Sequence, residues 1–358
     1  MSIATCEFDS HPAHKERPQD SPEAVFGLSI RFILHYFVFS FYIRRIIVFV
    51  MRIVFLDAAT LGDTSLEPIA KLGELVCWPN STAEEALDRV ADCEVLIVNK
   101  VKVTKELLAA APALRLVCEA ATGVNNIDVE ACAERGIPVR NVAGYSTDSV
   151  VQETFMHILT LMGNGPYFDN TVKSGAYSRG NIFTDVSKPF FEITGKTLGI
   201  IGMGTIGSKV AKVGVAFGMN VIYFSTSGTN HCTDYPSVPL EELMSRSDVI
   251  SVHAPYNACT AGLVGEKELR LMKPTAFIVN MGRGGIVEEA ALAKVIDEGV
   301  IGGAGLDVFV TEPLPEDHPL LHTSHPERLS LTPHTAWASV EARARLVEGI
   351  AANIAKGF

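Results

Sequence analysis

The 358-residue chain is 47% apolar and 20% charged, which is enough for buried cores in two domains of ordinary size and excludes bulk disorder. A formal net charge of −11 and a pI near 5.4 exclude a basic nucleic-acid surface, so any anionic ligand must be met by a local cation. Seven scattered cysteines (Cys6, Cys77, Cys93, Cys118, Cys132, Cys232, Cys259), none in a CxxC pair, exclude a disulfide framework and a thiolate zinc site, and suit thiols in a reducing cytoplasm.

Residues 1–50 do not match the rest. A polar, His- and Pro-bearing stretch precedes the apolar run Phe26–Val50, which Arg31, His35 and Arg44-Arg45 interrupt. A membrane span needs about 20 apolar residues without such breaks, and the run starts too late for an ordinary signal peptide. The expectation is an extension outside the fold, with Met51 as the functional start. A membrane-tethered protein is the competing reading, and it depends wholly on residues 26–50.

From Met51 short apolar runs alternate with amphipathic stretches. Ile53–Leu56, Leu75–Trp78, Val95–Val98, Leu116–Cys118 and Ile137–Val139 read as buried strands. Ser81-Thr82-Ala-Glu-Glu85 and Thr104-Lys-Glu106 read as helix starts. The alternation predicts a doubly wound parallel sheet covered on both faces. A helix over Val150–Met162, apolar nearly all round, follows the start cluster Tyr145-Ser-Thr-Asp-Ser149. Residues 163–195 read as one long irregular arm that packs on a partner subunit, with a mobile surface loop as the plainer alternative.

A second alternation follows. Strands are expected at Leu198–Ile201, Val221–Phe224, Val249–Val252, Phe277–Asn280 and Gly302–Asp307, and helices near 205–217, 239–246 and 288–298. A last helix, Ala336–Ala355, is long enough to cross back onto the first domain. The expected division is a first α/β domain at 51–147 completed by 336–358, and a second at 148–332.

Four segments carry chemistry. Gly202-Met203-Gly204-Thr205-Ile206-Gly207 follows an apolar strand and opens a helix, the context in which a GxGxxG run binds a dinucleotide pyrophosphate. Gly202 would make the turn, Gly204 admit the phosphates and Gly207 let the helix approach the sheet. Arg283, glycine-flanked past a strand end, suits a carboxylate, which a planar guanidinium grips through two hydrogen bonds. Glu312 in Asp307-Val-Phe-Val-Thr-Glu-Pro313 and His334 in Thr332-Pro-His334 suit a base and its orienting partner. Each of the last three, alone, suits a turn or loop residue better. His318, His322 and His325 lie close together, but with Pro319 and Pro326 among them and no acidic or cysteine fourth ligand; no metal is expected.

In this order the four segments resemble the D-isomer-specific 2-hydroxyacid dehydrogenase family, from about Met51 to the C-terminus. Ala121-Thr-Gly-Val-Asn-Asn-Ile-Asp128, Asn141-Val-Ala-Gly-Tyr-Ser-Thr147 and Val252-His-Ala-Pro255 are similar to it too. The resemblance implies a flavodoxin-like substrate domain and a Rossmann NAD-binding domain. It implies Arg283, Glu312 and His334 as the catalytic trio, with Arg283 on the substrate carboxylate, His334 moving the proton and Glu312 favouring the charged imidazole. Lys100, Thr122, Gly123 and Val124 would complete the substrate site, the loop through its backbone N–H groups. Thr147, Gly202 to Gly207, Ser225, Ala254, Pro255, Thr260, Met281, Gly282, Asp307, His334 and Trp337 would line the cofactor.

Asn99-Lys100, the Thr-Gly-Val-Asn-Asn loop and Trp337 look most like the glycerate dehydrogenase and hydroxypyruvate reductase branches, which implies hydroxypyruvate/glycerate or glyoxylate/glycolate. 3-Phosphoglycerate and D-lactate are the alternative substrates. NAD is the expected cofactor, with NADP open beside it because Ser225 stands where an acidic selector usually sits. The family resemblance also implies a homodimer formed through the Rossmann domain, and a last helix clipped at Phe358. A dinucleotide-sensing corepressor of the same fold is the rival reading; no interaction tail here suits it.

Overall fold

The structure, a computed structural model, describes residues 51–229 and 232–357; the extension 1–50, including its apolar run, lies outside the described residues. The first sheet is built from β1 (Arg52–Phe55), β2 (Glu74–Cys77), β3 (Val95–Val98), β4 (Leu116–Glu119) and β5 (Val139–Arg140). All pair in parallel in the order β2-β1-β3-β4-β5. Between them run α1 (Glu67–Ala70), α2 (Ala83–Arg89), α3 (Lys105–Ala110) and α4 (Val129–Glu134). The sequence sets their starts: Thr82 and Glu85 form a reciprocal capping box, and Thr104 caps α3 through the Leu107 N–H. β3 and β4 are buried throughout, as parallel strands covered on both faces must be.

α5 (Thr147–Gly163) leads out of this sheet and α6 (Gly165–Lys173) follows at once. Residues 163–195 are therefore not all irregular. Asn164, left-handed at φ 49°, ends α5 and begins α6, which Pro166 opens.

The second sheet comprises β6 (Thr197–Ile201), β7 (Asn220–Phe224), β8 (Val249–Val252), β9 (Phe277–Asn280), β10 (Gly303–Leu306) and β11 (Leu329–Leu331), parallel in the order β11-β10-β9-β8-β6-β7. A single parallel bridge, Tyr223 to Ser237, extends it beyond β7. Its connections hold α7 (Thr205–Ala216), α8 (Leu240–Arg246), α9 (Glu266–Leu269) and α10 (Glu289–Asp297). The described residues thus form two parallel-sheet α/β domains.

The last helix, α11 (Val340–Ala355), starts four residues later than its apolar pattern suggests. Ser339 caps it at the Ala342 N–H, while Ala336 and Trp337 stay in the preceding loop. It packs on the first sheet: Leu346, Val347, Ile350 and Ile354 share a core with Ile53, Phe55 and Leu116. Arg343 locks this docking by donating to the Leu61 carbonyl at 2.6 Å and to Asp63 at 2.9 Å. α5 packs instead against α7, and its Val150, Phe155 and Ile158 join the core of the second sheet.

Candidate active site

Parallel strands gather their carboxyl ends on one edge, where the chain leaves the sheet in loops free to carry polar groups. Both sheets turn such an edge to one cavity of about 540 Å³. Asn99 and Lys100 reach it from the loop after β3, Glu119 from the end of β4, and Thr122 and Gly123 from the loop that follows. Arg283, Asp307, Glu312 and His334 reach it from loops after β9, β10 and β11.

His334 Nδ1 lies 2.7 Å from Glu312 Oε2, and Glu312 Oε1 accepts the Phe309 N–H at 3.0 Å. Burial opposes ionisation of Glu312, but the His334 hydrogen bond, the Phe309 N–H and the charges of His334 and Lys100 together hold its pKa below the ordinary value. His334 sits at φ 56°, a left-handed backbone uncommon outside glycine and asparagine. Asp307 holds it there: its carboxylate accepts Thr332 Oγ1 at 2.8 Å and the N–H groups of Thr335 and Ala336 at 2.7 and 3.0 Å. Burial pushes the Asp307 pKa up to about 6, with the Glu153 charge adding to it against those three donors.

Arg283 is placed by Asn280, whose side chain donates to the Arg283 carbonyl at 2.9 Å and accepts the Gly282 N–H at 3.0 Å. Arg283 Nη1 rests on the Gly282 carbonyl at 2.8 Å. Nη2 reaches across to Gly123, where a Cβ would stand only 2.9 Å from it. A guanidinium from one domain and a backbone loop from the other thus share one spot. Thr122 turns its hydroxyl away, to the Val142 carbonyl at 3.3 Å.

The glycine run has the geometry a pyrophosphate needs. Gly202 is at φ 95° and a Cβ there would meet the Ala254 nitrogen at 2.8 Å. At Gly204, the N-cap of α7, a Cβ would meet nothing within 4 Å, so the helix end is open to a ligand. At Gly207 a Cβ would lie 2.2 Å from the Gly202 carbonyl, so only glycine lets the helix sit this close. Past β7, Ser225 Oγ is buried without a hydrogen-bond partner, an orphan of the kind a ribose or phosphate oxygen would satisfy. The residues present fit a bound dinucleotide.

Several expected residues sit elsewhere. Ile206, Met281 and Trp337 line the main cavity, whereas Thr147 and Thr205 line a neighbouring one at the start of α7. Met203 is buried in the second core, so only its backbone is available to a ligand. Val124 packs against the first core. Ala254 is buried and Pro255 exposed beside the glycine turn. Thr260 is buried with its hydroxyl committed to its own loop, donating to the Pro255 carbonyl at 2.6 Å. His318 pairs with Glu289, His322 with the Glu316 carbonyl and His325 with Glu327. Among the described residues no group of three or more His, Cys, Asp or Glu is placed to hold a metal ion.

Sequence reasoning missed the residues that hold these in place. Asp57, two residues past β1, accepts the N–H groups of Asn99, Lys100 and Val101 at 2.6–3.1 Å and so shapes the Lys100 loop. Glu289 accepts the Val310 N–H at 2.7 Å and His318 at 2.9 Å, fixing the loop that carries Glu312. Glu119 ends β4 fully buried. An acidic residue closing an apolar strand run, as Asp57 and Glu119 do, was the one available signal.

Residues 155–336 match the family model described as D-isomer specific 2-hydroxyacid dehydrogenase, NAD binding domain. The chain is 34% identical over 306 residues to a glycerate dehydrogenase of Methylorubrum extorquens, covering 85% of this chain and 95% of that one. It is 38% identical over 321 residues to a glyoxylate reductase of Aeropyrum pernix, covering 87% and 92%. Among solved structures it resembles an NADPH-dependent glyoxylate/hydroxypyruvate reductase from Sinorhizobium meliloti in complex with NADP and malonate. The TM-score is 0.71 at 28% identity, over 86% of this chain and 92% of that one.

Proposed function

The chain belongs to the D-isomer-specific 2-hydroxyacid dehydrogenase family, and we propose that it reduces hydroxypyruvate and glyoxylate to D-glycerate and glycolate in the cavity between its two sheets. It is an oxidoreductase of hydroxy acids that uses a nicotinamide dinucleotide. The observation that carries the substrate reading is the convergence of the His334–Glu312 pair and Arg283 on one small cavity.

A nicotinamide dinucleotide, which the Gly202 to Gly207 turn and Ser225 would hold, would supply the hydride to C2 of the keto acid or take it from the hydroxy acid. Arg283 binds the substrate carboxylate and polarises the C2 oxygen, with the Thr122-Gly123-Val124 backbone closing on the same carboxylate from the other side. His334, protonated, donates its proton to the C2 oxygen as the hydroxyl forms, and accepts it back in the oxidative direction. Glu312 keeps the ring oriented and stabilises the imidazolium before transfer. Asp307 keeps the backbone around His334 in its left-handed turn. Beside His334, Lys100 and Arg283 are the basic side chains lining the cavity among the described residues, and Lys100 already acts on Glu119 and Glu312. That leaves little for a phosphate and favours an unphosphorylated acid of two or three carbons.

Residues 51–147 with 336–358 form the substrate domain, and 148–332 the dinucleotide domain; α11 on the first sheet and α5 on the second support that division. Ser225 and its neighbours Thr226 and Ser227 neither repel nor attract a 2′-phosphate by charge, so NADH is preferred only modestly over NADPH.

The enzyme acts as a homodimer through the second domain. An apolar hollow between α5 and α7, lined by Val151, Phe155, Met156, Leu159 and Val213, lies open at the surface. The arm beyond α6 exposes Ile182, Phe183, Val186 and Phe190, more apolar surface than a lone chain usually shows water. A cytoplasmic location suits Cys77, Cys93, Cys118, Cys132 and Cys259, none of them in a disulfide. The test is a panel of 2-keto acids assayed with NADH and NADPH, alongside solution mass by light scattering. Turnover of hydroxypyruvate or glyoxylate by a dimer supports the proposal; preference for 3-phosphohydroxypyruvate refutes the substrate reading, and a monomer refutes the dimer.

A further inference from the structure

The proposed mechanism makes no use of Glu119, though it forms part of the same cavity wall. Its side chain is 0% exposed. Oε2 accepts the Asn126 amide at 3.0 Å, and that amide also donates to the Val101 carbonyl at 3.1 Å. Oε1 is buried and has no hydrogen-bond partner. A buried orphan of this kind is costly and calls for a partner.

The groups facing it are few. Asp57, two residues past β1, accepts three backbone donors, Lys100 follows β3, Asn126 belongs to the substrate loop and Tyr145 precedes α5. Burial above all, with the Asp57 charge adding, pushes the Glu119 pKa up to about 8 against the Asn126 hydrogen bond and Lys100. At neutral pH Glu119 is therefore an uncharged acid. It does not repel a carboxylate ligand, and its O–H is free to donate.

We propose that Oε1 of Glu119 hydrogen-bonds the hydroxyl on C3 of a three-carbon 2-keto acid, and so sets a preference for hydroxypyruvate over pyruvate. The inference rests on the 2-keto acid reading above. A C3 methyl cannot accept or donate, and a buried polar group left unpaired discriminates against the analogue that lacks its partner.

The test compares hydroxypyruvate and pyruvate reduction by wild type, Glu119→Met and Glu119→Gln across neutral and alkaline pH. Methionine keeps the volume and removes the hydrogen bond. It should lower kcat/KM for hydroxypyruvate by roughly 10–100-fold and that for pyruvate by less than about threefold. Glutamine keeps a donor but cannot ionise. It should retain the preference and lack the rise in KM expected of wild type as pH passes about 8. Equal losses on both substrates in Glu119→Met, or a KM in Glu119→Gln that climbs with pH as in wild type, would overturn the proposal while leaving the keto-acid reading in place. If Glu119→Met does not fold, the Glu119→Gln profile decides alone. Wild type inactive on every 2-keto acid overturns both.

Discussion

Gly123→Ala should damage the substrate site without damaging the fold. The new methyl would stand 2.9 Å from Arg283 Nη2 and 3.2 Å from Asn125 Oδ1. Ordinary contact is about 3.5–4.0 Å, so the guanidinium must retreat by about 0.5–1 Å. Gly123 has no left-handed φ to strain, and the obstructing atom is the end of a flexible side chain, so the retreat costs little stability. It does misplace the carboxylate grip. A displacement of about 1 Å costs on the order of 10²-fold when it misaligns reacting groups, and one charge-assisted hydrogen bond is worth about 1.5–3 kcal/mol. kcat/KM for hydroxypyruvate should fall by roughly 10–100-fold, with unchanged NADH affinity and an unshifted Tm. Gly284→Ala is the contrast. There a Cβ would lie 2.0 Å from the Phe309 carbonyl carbon and 2.4 Å from the Val310 nitrogen, and backbone cannot swing aside. That variant should lose Tm as well as activity. Near-normal efficiency in Gly123→Ala would show that Arg283 does not bind the carboxylate over that loop.

Three further outcomes follow from the site. Glu312→Gln removes the anion 2.7 Å from His334, so ketone reduction should decline at lower pH than in wild type; superimposable profiles would rule out the pairing. Ser225→Asp should sharpen the preference for NADH by about 10-fold or more, through repulsion of a 2′-phosphate, and an unmoved NADH/NADPH ratio would show that the orphan hydroxyl is not the selector. Glu119 titrates near 8 in the fold against an ordinary 4.5. The native state therefore holds the proton more tightly, and this contribution to stability, complete below the ordinary value, is lost as pH rises through about 8. The Tm of Glu119→Gln relative to wild type should rise steadily across that window, and a constant offset would contradict the assigned burial.

The parallel strands were legible because burial on both faces forces short continuous apolar runs, and β3, β8 and β9 fall where those runs place them. The edges were less so. β11 is Leu-Ser-Leu and only partly buried, too short and mixed to stand out. β5 covers Val139–Arg140, not Ile137–Val139, because pairing with Val117 and Cys118, not hydrophobicity, defines it. The final helix begins at Val340 because Asp307 claims the Ala336 N–H for the histidine loop. Arg283, Glu312 and His334, which the fold brings to one cavity, each stand in a local motif. Asp57, Asn280 and Glu289 were not legible, since Asp57 and Glu289 act on backbone 42 and 21 residues away and Asn280 on its own turn. Such pairings exist only once the chain has folded.

The most direct test is NADH-dependent reduction of hydroxypyruvate by His334→Asn. Asparagine tolerates the left-handed backbone that position 334 requires at φ 56°, so the variant removes the acid–base group without breaking the turn. Turnover should fall by about 10²–10⁴-fold, while Tm and NADH affinity stay as in wild type. A correctly folded His334→Asn enzyme that reduces hydroxypyruvate at the wild-type rate would contradict the account at its centre.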